Sequence, residues 1–69
     1  MKEKYLQKEG ELAYRMWLFS LAVEDLKNNP NPEKTSLLTA KLTSFSAVAG
    51  EAGGIEMLHD VHEMLKELA

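Results

Sequence analysis

The stretch "IEMLHDVHE", residues 55–63, holds the densest set of side chains able to do chemistry. Glu56, His59, Asp60 and Glu63 lie three and four positions apart, a spacing that puts them on one face of a helix. Glu-x-x-His is the pattern with which ferritin-like bundles present a carboxylate and an imidazole to a pair of metal ions, beside a Glu from a neighbouring helix. In an oligomer, Glu24 or Glu51 could supply that further carboxylate. A single short motif also arises whenever an amphipathic helix turns polar residues outward. The expectation is therefore no bound metal and no other cofactor, with Glu56, His59, Asp60 and Glu63 the candidate ligands if one did bind. His59 and His62 could make a contact sensitive to pH near 6, but are read as solvated surface groups.

Other chemistries find less support. Ser20, Ser36, Ser44 and Ser46 have no base and orienting acid at readable spacing. There is no cysteine, which excludes disulfides and thiolate metal sites. In "SFSAVAGEAGG", small residues at Ser46, Gly50 and Gly54 would let helices approach closely. Exposed amides after the glycines could instead cradle an anion, yet no Lys or Arg lies between Lys41 and Lys66. "GEAGG" resembles a stretch of the all-α nucleotide pyrophosphohydrolases, whose paired Glu-x-x-Glu motifs hold magnesium. Here Gly54 stands three positions after Glu51, in place of the second carboxylate, so no magnesium site carries over. The chain reads as non-enzymatic.

A chain of 69 residues is one small domain. Domains this short bury only about 60% of their unfolded surface, and usually need a metal, a disulfide, oligomerisation or unusually good helix packing. A net charge of −3 argues against nucleic acid as a partner, because binding there needs clustered Lys and Arg. The apolar stretch "LAYRMWLFSLAV", residues 12–23, contains Arg15 and falls short of the roughly 20 apolar residues of a membrane span. The charged start "MKEKYLQKEGE" is unlike a signal peptide, so a cytoplasmic location is expected.

What must position these residues is an all-α fold: nothing alternates with period two. Helix 1 is expected over about residues 2–28, weakened by Gly10 and ended by "NNPNP", where Pro30 forces Asn29 out of the helical region. Helix 2, about 32–49, starts with Asn31 as cap, Pro32 in the first position and Glu33 near the positive end. Its stripe is Leu38, Leu42, Phe45 and Ala49, with Leu37 and Val48 beside it. Helix 3, about 54–68, repeats Leu58, Val61, Leu65 and Leu68. On one straight helix at about 100° per residue the two stripes would face nearly opposite sides. A break within Gly50–Gly54 lets both meet one core, which favours three helices over a two-helix hairpin.

Helix 1 carries one stripe more than such a core needs. Leu12, Met16, Phe19, Val23 and Leu26 form a seam with heptad spacing, joined by Tyr5. Tyr14, Trp17, Leu18 and Leu21 fall on the other side, at about 140–240° from Leu12. Exposed stripes of large apolar residues mark interaction sites, and Trp and Tyr are common at binding hot spots. The expectation is a homo-oligomeric helical bundle in which Tyr14, Trp17, Leu18 and Leu21 meet another chain, a symmetric dimer being the commonest form. Two other readings stand beside it. In size and helical build the chain is similar to type III secretion needle co-chaperones, which implies an exposed stripe covered by one larger protein. The other is a small-ligand or metal binder at a subunit interface near "GEAGG" and "HDVHE".

Overall fold

A computed structural model of the chain describes residues 2–69; Met1 lies outside them. Four helices follow one another: α1 Lys2–Leu6, α2 Glu11–Asn28, α3 Pro32–Ala52 and α4 Gly54–Leu68. No described residue is in a strand, and no helix is long and apolar enough to cross a membrane. The long helices run up, down and up around one core, so α2 and α4 are roughly parallel. Lys27 on α2 meets Glu67 on α4, and the Ser20 hydroxyl faces the Met64 sulfur.

The first departure from expectation is in helix 1, which is two helices. Gly10 has φ 106°, in the left-handed region that favours glycine, and α2 starts immediately after it. The chain reverses there, and α1 folds back along α2 far enough for Lys2 to meet Glu24 at 2.9 Å. Tyr5 is buried as expected, but against α4 rather than within a continuous seam. The "NNPNP" turn is as expected. The Asn31 side chain accepts from the Lys34 amide at 3.0 Å, with Pro32 opening α3.

Helix α3 passes the expected end at residue 49 and continues to Ala52. The break comes at Gly53–Gly54, inside the glycine-rich stretch, and allows α3 and α4 to pack as a hairpin. Gly54 has φ 85° with open space around its missing side chain. Ala there would be strained rather than crowded, at about 1–2 kcal/mol. Gly54→Ala should therefore lower the midpoint of thermal unfolding by several degrees, measured by circular dichroism. An unchanged midpoint would show that the hairpin turn tolerates another conformation.

The core is built from Met16, Val23 and Leu26 of α2, Leu38, Leu42, Phe45 and Ala49 of α3, and Val61 and Met64 of α4. All four expected α3 positions are buried, and Phe45 stacks at a tilt on Phe19, ring centres 5.1 Å apart. On α2 the buried arc is rotated toward Ala13 and Ser20, leaving Leu12 and Phe19 partly buried at its edge. On α4 it is rotated toward Met64 and Asp60, with Leu58, Leu65 and Leu68 at the margin. The folded-back α1 packs along α2 and reaches α4 through the Lys4 and Tyr5 side chains, which cover Asp60, while Ser20 faces Met64 of α4.

Candidate functional site

The acidic face of α4 is not a solvated surface throughout. Asp60 is buried, and its Oδ2 accepts from the Tyr5 hydroxyl at 2.5 Å and from the Lys4 ammonium at 2.7 Å. Glu56, one turn earlier, holds the same ammonium at 2.6 Å. Burial pushes the Asp60 carboxyl up, but the Lys4 and Tyr5 hydrogen bonds with the Lys4 charge outweigh it and hold the carboxyl below its ordinary range. Glu56 is lowered by the same ammonium. The Tyr5 hydroxyl is raised by burial and by Asp60, and Lys4 is raised by its two carboxylates.

These four side chains form a latch that fastens α1 to α4. Lys4 provides a cation of the protein's own where a metal ligand set would have to converge. His59 and His62 are exposed. The His59 ring lies 3.7 Å from Glu63 and 3.9 Å from Asp60, and Glu63 also faces Lys66 at 3.4 Å. Among the described residues no group of three or more His, Cys, Asp or Glu is arranged to hold a metal ion. The two members facing α1 were legible as acids on one helical face. Their burial was not, because it depends on a reversal at Gly10.

The second stripe of α2 is differently placed. Tyr14 is 57% exposed and Leu18 42%, while Leu21 is half-buried. Trp17 is also half-buried, packing against the core at the edge of the stripe, with its ring 6.1 Å from that of Tyr14. The doubled-back α1 lies elsewhere on α2, with Lys2 at Glu24, and leaves most of this face open. Of the four expected contact residues, Tyr14 and Leu18 form the open surface, and Leu21 and Trp17 border it half-buried.

A neighbouring surface on α3 extends it. Lys34, Leu37, Lys41, Ser44 and Val48 recur at spacings of three and four and all are exposed, Leu37 at 59% and Val48 at 42%. Leu37 and Val48 were legible in the sequence only as a widening of the core stripe, which has the same period. Between α2 and α3 runs a shallow cleft of about 220 Å³, lined by Ala22, Asp25, Leu26, Lys34, Leu37 and Lys41 among others. Lys2, Lys4, Arg15, Lys27 and Lys66 each pair with a carboxylate elsewhere in the fold. Asp25, Lys34 and Lys41 pair with nothing among the described residues, although they line the same cleft.

A larger cleft of about 470 Å³ opens between the start of α1 and the C-terminal ends of α2 and α4. Its floor is Ser20, Val23 and Met64, and charges pair across its rim, Lys2 with Glu24 and Lys27 with Glu67. Lying near the far end of α4, it is remote from "GEAGG". Comparison with known proteins finds nothing similar: no family model, no curated protein and no solved structure matches the chain.

Proposed function

We propose that this chain is a small, non-enzymatic helical interaction module, acting in the cytoplasm as an adaptor, inhibitor or assembly factor, and that it binds a second copy of itself. The open face of α2 carries this reading. Tyr14 and Leu18 stand outside a core that is already closed by α1, α3 and α4. Covering a Leu, Val or Phe side chain fully is worth about 1.5–3 kcal/mol, so several such residues together supply a useful part of an association free energy. No nucleic acid or cofactor enters the proposal.

Sedimentation velocity over a range of concentrations tests it. Wild-type protein is expected to sediment as a dimer at micromolar concentration. Leu18→Asp should sediment as a monomer of unchanged helical content, since Leu18 lies outside the buried core. Wild-type protein that stays monomeric throughout the range overturns the proposal.

A further inference from the structure

We propose that the contact between two copies spans α2 and α3 together, and that its register is set by Asp25 of each copy facing Lys34 and Lys41 of the other. This deepens the self-association proposed above and rests on it. Leu18, Leu21, Ala22 and Asp25 follow one another at spacings of three, one and three, so they share one side of α2. Lys34, Leu37, Lys41, Ser44 and Val48 make the corresponding row on α3. The cleft joins the two rows, because Ala22 and Asp25 form one wall and Lys34, Leu37 and Lys41 the other. The exposed apolar surface is thus two helices wide.

The charges on this surface select its occupant. In a chain of net charge −3, the cleft brings two lysines to one wall and one aspartate to the other, with no ion pair among them. Acid on one wall and base on the other make the surface complementary to itself under a two-fold axis. Laying the α3 row of one copy on the α2 row of the second brings Asp25 to Lys34 and Lys41. The same operation repeats the contact on the other side, as an isologous interface requires. Leu18 lies seven residues, about 10 Å, along α2 from Asp25, so it meets the α3 row beyond Lys41, toward Ser44 and Val48, and the contact has an apolar end beside its charged one. Charges so placed fix register and exclude misaligned pairings more than they add affinity.

Two full-length variants test the register. Asp25→Lys sets like charges facing each other at both charged contacts of its own dimer, and so does the double variant Lys34→Asp, Lys41→Asp. Each alone should dimerise about tenfold or more weakly than wild type. Mixed in equal amounts they should recover a dimer near wild-type affinity, because both contacts then join opposite charges. The readouts are sedimentation velocity and energy transfer between differently labelled copies, with circular dichroism confirming that each variant is folded. Variants that dimerise like wild type, or a mixture that does no better than its components, overturn the register while a Leu18-dependent wild-type dimer leaves self-association standing. A monomeric wild type overturns both.

Discussion

Leu42→Ala is expected to remove most of the stability of the fold. Leu42 is fully buried at the middle of α3 and is one of four large side chains with essentially no exposure, the others being Met16, Val61 and Met64. Truncating a leucine so enclosed costs about 2–5 kcal/mol, from lost transfer free energy and from the cavity left behind. A single core in a chain this short supplies only about 3–5 kcal/mol. The variant should therefore be largely unfolded at ambient temperature, or unfold with a midpoint lowered by well over 10 °C. Leu37→Ala, five positions away on an exposed row of the same helix, should change stability by less than about 0.5 kcal/mol in dilute protein. Urea unfolding of the two variants side by side separates core from surface. Equal losses at both positions would mean that Leu37 is covered within the single chain, which would weaken the case for an outward apolar row.

That contrast also marks how far the sequence could be read. Periodicity located α3 and its four buried residues, because Leu38, Leu42, Phe45 and Ala49 leave no doubt about one face. The "NNPNP" start signal was equally readable, each residue having a distinct backbone role. The glycine-rich break was found by angle, since two stripes of opposite phase cannot serve one core on a straight helix. Gly10 was underestimated. A helical propensity scale assigns it a cost of about 1 kcal/mol, whereas its conformational freedom permits a full reversal that sends α1 back across the bundle. The burial of Asp60 follows from that reversal, since its carboxylate is covered by Lys4 and Tyr5 of α1. The candidate interaction face was legible on α2 and hidden on α3. A second apolar row displaced by only about a quarter turn from the core row reads as a widening of it.

Asp60→Ala tests the latch, and its effect should depend on pH in a way that identifies the groups involved. Tyr5 is only 2% exposed, and α1 has five residues, too few to hold a helix without docking. Loss of the carboxylate leaves the buried Tyr5 hydroxyl without its acceptor, about 1–3 kcal/mol. If α1 then lifts, burial of the ring is lost as well, for a total of roughly 2–4 kcal/mol. Lys4 is partly exposed and regains water, so it adds little. Because the folded state lowers the Asp60 carboxyl, its contribution is complete above the ordinary value of about 3.9 and disappears as pH falls through the lowered one. Because the folded state raises Tyr5 and Lys4, their contributions are complete below about 10 and fade as pH climbs through the raised values. The stability difference between wild type and Asp60→Ala, from urea unfolding, should be flat from about pH 5 to 9 and shrink on both sides. Asp60→Asn keeps an acceptor for the Tyr5 hydroxyl but gives up the charge, so its loss should be smaller. The acid-side fall in wild-type stability should also be shallower in that variant, the remainder being the part that Glu56 shares through Lys4. In a Tyr14→Phe background, absorbance titration reports Tyr5 alone, and Asp60→Ala should bring its ionisation down toward the ordinary phenol value. A Tyr5 titration unmoved by Asp60→Ala, or a stability difference that does not shrink in acid, would mean that α1 is held by its apolar contacts and that the buried carboxylate is incidental to docking.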